Sequence, residues 1–232
     1  MIKTAMILAA GYGKRLRPIT SKLPKPMIKI YNKPLIGYAI DSLLSIGINK
    51  IVINTHYKNK IINEYIRSKY NSQKVITLYE PTLLDTAGAF KNAINFFNKK
   101  RILVLNSDIF WNSDTKGDLI NLINSSSNKN IKCTLLLSNM KNIYGLKNFY
   151  GDFLIKNNLI QRNKSNKNGL IYTGAQIIDK SVIKSFNEKI FSFNKVWDFL
   201  IEKKQIDYVL TKSKILHLGN IESIKYCNKF RP

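Results

Sequence analysis

The chain reads as an α/β protein, and three observations carry that reading. Short apolar runs alternate with helix-patterned segments through residues 1–139, a glycine pair stands directly after the first apolar run, and beyond Met140 the pattern changes to short β-type pieces. Such alternation produces a mostly parallel sheet with crossover helices on both faces, and ligands then bind beyond the carboxyl ends of the strands. In chain order the pattern predicts strands at 5–10, 50–54, 74–79, 102–105 and 133–138, interleaved with helices at 35–46, 58–69, 86–97 and 117–125. The later portion predicts β pieces at 149–156, 159–162 and 170–178, a loop at 163–169, a helix at 196–203, extended segments at 208–211 and 214–218, and a helix at 221–228. No internal repeat or long linker divides the 232 residues, so the expectation is one domain over 1–232, its second part, 140–232, forming a small mixed-sheet extension.

Thirty-eight Lys+Arg against 14 Asp+Glu give a net charge of +24. A balance this basic ordinarily signals nucleic acid or an anionic surface. Here the excess is nearly all lysine, with only six arginines, and the chain is also crowded with asparagine and isoleucine. Nucleic-acid binders favour arginine and interleave it with aromatics, whereas these lysines are scattered, clustering only as pairs such as Lys99-Lys100 and Lys203-Lys204. The charge therefore reads as composition drift, with no nucleic-acid partner, and its field speeds the approach of an anionic small substrate. No apolar run approaches the roughly 18 residues of a membrane span, and the run at 6–10 is too short for a signal peptide, so a cytoplasmic protein without a membrane partner is expected. Cys133 and Cys227 lack both a disulfide framework and metal-type spacing, and no feature points to an obligate protein partner.

The chemistry starts at the first strand, which feeds into Gly11-Tyr12-Gly13-Lys14-Arg15-Leu16-Arg17-Pro18-Ile19-Thr20 and then Pro24-Lys25-Pro26. Two glycines let backbone N–H groups approach a phosphate, and the adjacent cations neutralise it. A dinucleotide fingerprint is disfavoured because its third glycine would fall at Leu16, and a P-loop because no Gly-Lys-Ser/Thr closes the run.

The stretch from Leu8 and Ala10 through Gly11, Gly13, Lys14, Arg15, Pro18 and Thr20, with Pro24-Lys25-Pro26-Met27, resembles the signature of sugar-1-phosphate nucleotidyltransferases. The likeness extends through Lys33-Pro34-Leu35-Ile36, Glu80 with Asp85-Thr86-Ala87-Gly88, Asn106-Ser107-Asp108, Gly151-Asp152-Phe153 and Thr173-Gly174, so it covers most of the chain. It implies a Rossmann-like, glycosyltransferase-A-like fold, with 1–139 as the nucleotide-binding half and 140–232 as the sugar-phosphate-binding half. The implied reaction is attack of a sugar 1-phosphate on the α-phosphate of an NTP, giving an NDP-sugar and pyrophosphate. Within the family the sequence looks most like the bacterial uridylyltransferases acting on N-acetylmuramate 1-phosphate in peptidoglycan recycling. The mannose- or heptose-1-phosphate guanylyltransferases are the alternative, cytidylyl transfer to phosphocholine is more distant, and a catalytically silent nucleotide-sugar sensor is the reading from another class.

On that resemblance the residues take roles. Arg15 forks onto the β- and γ-phosphates, with Lys14 and Arg17 beside it as further phosphate cations or salt-bridge partners. Lys25, between two prolines, faces the α-phosphate or the incoming sugar phosphate. Asp108 follows an apolar strand and suits Mg²⁺, with Asn106 orienting the strand end or touching ribose. Glu80 and the Asp85-Thr86-Ala87-Gly88 turn are the candidate base reader, a carboxylate accepting the N–H of uracil or guanine while the backbone near Thr86 and Gly88 supplies complementary groups, although Thr86 equally fits a helix cap. Gly151, Asp152, Thr173 and Gly174 are expected at the sugar phosphate, or alternatively in a hairpin turn and a strand bulge. Where relatives carry an aspartate as second metal ligand, this chain has His217, whose nitrogen suits Mn²⁺ or Co²⁺ better than Mg²⁺. His56 reads as a cap or surface residue and Trp197 as core.

Overall fold

A computed structural model describes residues 2–126, 128–146, 150–165 and 168–227. Phe149, residues 166–167 of the expected loop and Asn228 at the end of the expected last helix lie outside the described residues.

A nine-stranded sheet forms the centre. Seven strands lie side by side in the order Ile206–Thr211, Cys133–Asn139, Leu170–Asp179, Arg101–Asn106, Thr4–Leu8, Lys50–Thr55 and Val75–Tyr79. All run parallel except Leu170–Asp179, which is antiparallel to both neighbours. The hairpin Phe153–Lys156 and Leu159–Arg162 hangs from its start through the Leu170–Phe153 pair. The strands are apolar almost throughout because both faces are covered. Ile7, Ile53, Leu103 and Leu105 pack against Ile36, Ile40 and Leu43 of helix Leu35–Ser45, Ile62 of Asn59–Lys69 and Leu119 of Ser113–Ser125. Their neighbours Met6, Val52, Ile102 and Val104 face the opposite layer, with Phe90 of Asp85–Asn92 and Trp197 and Leu200 of Phe193–Glu202. Helices thus lie on both faces of a mostly parallel sheet.

Differences from the expected elements have local causes. The first strand ends at Leu8, leaving residues 9 and 10 to the glycine loop. Helix Ser113–Ser125 starts four residues before 117 because Asn112 and Thr115 form a reciprocal capping box, which makes a polar stretch helical. The helix expected at 86–97 is α-helical only over Asp85–Asn92, then tightens to a 3₁₀ turn at Ile94–Phe96. Only Ile215–Leu216 of the segment 214–218 is a strand, paired with Ile143–Tyr144.

The least local feature is the placement of Leu170–Asp179. It lies between two strands of the first half, so the division at 139 is one of sequence and not of separate structural units. Its register shifts between Tyr172 and Gln176, and Gly174 sits in the bulge with φ +89°. A Cβ there would lie 2.8 Å from Ile109 Cγ1 and 3.1 Å from Asn106 Cβ, so glycine alone lets this strand close against the end of Arg101–Asn106.

A candidate active site at the strand ends

A cleft of about 600 Å³ opens at the carboxyl ends of strands Thr4–Leu8 and Arg101–Asn106. Leu8, Ala10, Gly11, Gly13, Lys14, Arg15, Lys25, Thr86, Asn106 and Asp108 all line it. Gly13 has φ +64° and its would-be Cβ lies 3.0 Å from Thr20, whose hydroxyl donates to the Gly13 carbonyl at 2.8 Å. That clamp folds the loop back so that Lys14 and Arg15 begin a short 3₁₀ turn, both exposed on the cleft wall. Arg17 is exposed but does not line the cleft.

The loop has supports that local sequence patterns do not announce. The Asn54 side-chain oxygen accepts the Ala9 N–H at 2.9 Å, and the Ser107 hydroxyl donates to the Leu8 carbonyl at 2.6 Å. His56, expected as a cap or surface residue, holds the loop from outside: its Nδ1 donates to the Glu80 carbonyl at 2.7 Å, leaving Nε2 to accept the Tyr12 hydroxyl at 3.0 Å.

Asp108 is the charged centre. Lys25 Nζ lies 2.8 Å from its Oδ2 and His217 Nε2 lies 3.4 Å from the same oxygen. Burial pushes the Asp108 pKa up, but the charges of Lys25 and His217 and the Lys25 hydrogen bond outweigh it, and the net value falls to about 2. His217 is brought here by backbone pairing: Leu218 N–H donates to the Asp108 carbonyl at 2.8 Å and His217 N–H to the Tyr144 carbonyl at 2.8 Å. Burial lowers the His217 pKa, Asp108 partly offsets this, and Lys25 and Arg15 add to the lowering, so the ring is neutral near pH 7. The Gly219 backbone packs against the ring, since a Cβ there would meet its Cε1 and Nδ1 at 2.7 Å.

The expected base reader needs correction. Glu80 is fully buried and does not line the cleft; Asn54 Nδ2 donates to its Oε1 at 3.0 Å, so it orients the amide that in turn holds Ala9. Burial raises its pKa, opposed by Asn54, the Leu84 N–H and His56. A raised folded pKa favours folding below the ordinary glutamate value of 4.5, and that advantage is lost as pH rises through the folded value. Glu80→Gln keeps an acceptor for Asn54 without the buried charge. It is expected to raise Tm at pH 7 relative to the parent, with the difference vanishing below pH 4.5, as a pH series of thermal melts would read.

Gly88 also lies outside the cleft. Its N–H and that of Ala87 donate to the Phe191 carbonyl at 2.9 and 3.0 Å, and its bare Cα packs against the Lys189 carbonyl. Thr86 does line the cleft, but its N–H donates to Asp85 Oδ1 at 2.6 Å and its hydroxyl accepts the Phe193 N–H at 2.9 Å. The helix start therefore has no open amides at 86–88 to offer a base.

Of the residues expected at the sugar phosphate, only Lys25 lines the cleft. Thr173 is buried and donates its hydroxyl to the Leu136 carbonyl at 2.9 Å, facing the sheet interior. Asp152 accepts the Tyr172 N–H at 2.8 Å, and burial raises its pKa against the pull of that N–H and Arg162. Gly151, φ +91°, lies against the Gly169 backbone. These two close the hairpin onto the central sheet, and Gly174 is the bulge described above. Trp197 is core, its Nε1 donating to Gln176 Oε1 at 2.8 Å.

A glycine loop carrying cations, set beside a carboxylate–lysine pair at the strand ends, defines an α/β enzyme that handles polyphosphate. The family model described as nucleotidyl transferase matches residues 4–161, and the chain belongs to that family. D-glycero-α-D-manno-heptose 1-phosphate guanylyltransferase of Aneurinibacillus thermoaerophilus is 31% identical over 201 residues, 84% of this chain and 83% of that protein. N-acetylmuramate α-1-phosphate uridylyltransferase of Caulobacter vibrioides is 23% identical over 223 residues, 94% of this chain and 92% of that protein. Among solved structures, HddC from Yersinia pseudotuberculosis complexed with GMP-PN superposes with a TM-score of 0.79 at 27% identity, covering 99% of this chain and 100% of that one. The fold is the glycosyltransferase-A-like one, and the enzyme is a sugar-1-phosphate nucleotidyltransferase acting on an NTP and a sugar 1-phosphate. No helix among the described residues is long and apolar enough to cross a membrane.

Proposed function

We propose that the donor is UTP and the acceptor N-acetylmuramate 1-phosphate, in cell-wall sugar recycling. The observation that carries this reading is the length of the likeness: the Caulobacter uridylyltransferase aligns over 94% of the chain, against 84% for the Aneurinibacillus guanylyltransferase. The lactyl carboxylate of that acceptor also suits a chain of net charge +24. A second reading, guanylyl transfer to a heptose 1-phosphate, is favoured by the higher identity of the Aneurinibacillus protein and by the GMP-PN complex of the Yersinia structure. Pyrophosphate release from UTP and GTP, each paired with N-acetylmuramate, heptose and mannose 1-phosphates, decides between them. Fastest turnover with UTP and N-acetylmuramate 1-phosphate is expected; fastest turnover with GTP and the heptose sinks the first reading.

In this proposal the attacking phosphate oxygen is already an anion, so no side chain has to remove a proton. Arg15 and Lys14 hold the departing pyrophosphate, and Lys25 neutralises charge between the reacting phosphates. The glycine loop, fixed by Thr20, Asn54 and Ser107, keeps these groups in place before substrate arrives.

The same proposal assigns a divalent cation to Asp108 and His217. Asp108 Oδ1 is buried without a hydrogen-bond partner among the described residues, which fits a divalent cation, and His217 turns Nε2 to the same carboxylate while its Nδ1 lies against the Gly219 backbone. No group of three or more His, Cys, Asp or Glu side chains gathers among the described residues, so phosphate oxygens and water complete the shell, as Mg²⁺ accepts. When bound, the ion supplies charge neutralisation for the triphosphate. A nitrogen donor tilts the site toward Mn²⁺ or Co²⁺. Direct titration with Mn²⁺ and Mg²⁺ in the presence of nucleotide should show His217→Asp moving relative affinity toward Mg²⁺ by about tenfold or more. An unchanged ratio removes His217 from the ligand set.

A further inference from the structure

We infer that the pole of the sheet opposite the active-site cleft carries a second anion site, a recess around residues 99–101 that takes a polyphosphate chain. The inference goes beyond nucleotidyl transfer and does not depend on it. Topology gathers here the lysines that the sequence scatters. Lys3 precedes strand Thr4–Leu8, Lys50 opens Lys50–Thr55, Lys74 precedes Val75–Tyr79, Lys100 precedes Arg101–Asn106 and Lys132 precedes Cys133–Asn139. Lys180 follows the antiparallel strand Leu170–Asp179 and so comes to the same pole. The active-site cleft lies at the other ends of these strands.

Within this pole the surface is concave. A recess of about 660 Å³ is lined by Lys99, Lys100, Arg101 and Lys129, with Ile2 and Ile123 as its apolar wall, and it shares no lining residue with the active-site cleft. Its cations are held in place by the protein itself. Arg101 donates through one guanidinium nitrogen to the Asn128 and Ile131 carbonyls at 2.5 and 2.8 Å, which fixes the plane of the group. Asp179, the acidic side chain of the lining among the described residues, is 1% exposed; its Oδ2 lies 3.3 Å from Lys100 and 3.7 Å from Lys132, and its Oδ1 accepts the Ser181 hydroxyl. One carboxylate thus anchors two lysines and leaves the recess strongly positive. Cations of one sign around a recess focus the field inside it, and ammonium groups beside a guanidinium fork match the several charged oxygens of a phosphate chain better than a single carboxylate. A flat anionic membrane would meet the rim of such a recess and leave its floor empty.

Calorimetric titration of the whole chain with inorganic tripolyphosphate, at about 0.15 M salt so that the long-range field is screened, tests the inference. Two sites per chain are expected, one in the recess and one in the active-site cleft. Lys99→Ala combined with Lys129→Ala should weaken one of them about tenfold or more and leave the other, and Arg15→Ala should do the reverse. Both lysines are exposed, so the double variant should melt with the parent. Lys60→Ala combined with Lys212→Ala removes the same charge from exposed positions outside both linings and should leave both sites intact. ATP in place of tripolyphosphate separates the sources: tighter binding in the recess assigns a nucleotide that packs on Ile2 and Ile123, and equal or weaker binding assigns a free polyphosphate. Tripolyphosphate binding that the Lys99 and Lys129 changes leave untouched overturns the inference, as does an equal loss in the Lys60 and Lys212 control, which would reduce the effect to net charge. Binding to phosphatidylglycerol vesicles that needs Lys99 and Lys129, with no second tripolyphosphate site, also overturns it and makes the pole a membrane contact.

Discussion

Asp108→Asn is expected to lower pyrophosphate release about 10³-fold at saturating divalent cation, the largest loss of any single change considered. The carboxylate stands at a strand end with one oxygen held by Lys25 and the other unpartnered. Asparagine keeps the shape but removes the negative charge, leaving a buried lysine without its counter-ion. That costs about 1–3 kcal/mol of stability, which a thermal melt reads, so turnover must be compared well below the lowered Tm. Activity within about threefold of the parent would remove Asp108 from the phosphate centre.

Arg15→Ala and Lys25→Ala are expected to lower kcat by about 10²–10³ with little change in KM, because in the proposed reaction both cations meet charge that grows as pyrophosphate departs. The two should differ in one respect. Arg15 lies exposed on its 3₁₀ turn, and its loss should leave the unfolding free energy within about 0.5 kcal/mol of the parent. Lys25 is largely buried against Asp108, so its loss also strands a carboxylate whose low pKa it sustains. A raised KM with unchanged kcat would mean that both bind substrate and transition state equally.

Reading from the chain alone succeeded where the determinants are adjacent in sequence. Gly11 to Thr20 closes on itself through Gly13 and Thr20, so the closed shape of this glycine loop is legible in ten consecutive residues. Asp108 follows from a strand whose end is marked by polarity. The expectation failed where a side chain's partner lies far along the chain. Glu80 looks like a reader until Asn54 claims it, Gly88 until Phe191 and Lys189 close over it, and Thr173 until its hydroxyl is found on Leu136. The Asp85-Thr86-Ala87-Gly88 turn reads as a unit, and that its amides at 87 and 88 are taken by the Phe191 carbonyl, a hundred residues away, has no sequence signature. The order of strands escaped for the same reason: nothing local in 170–179 says that it will run backwards between two earlier strands.

That insertion decides how the molecule can be cut. Strand Arg101–Asn106 has Thr4–Leu8 on one flank and Leu170–Asp179 on the other, and Cys133–Asn139 reaches the rest of the sheet only through Leu170–Asp179. A fragment ending at 139 would carry one apolar strand with a bare flank and another with no neighbour at all, both rows of unsatisfied N–H and C=O groups ready to pair with further copies. Aggregation is the expected fate of such a piece. Two halves expressed as separate polypeptides would have to find each other before either could settle, which makes this architecture suited to a split reporter whose signal depends on the fragments meeting.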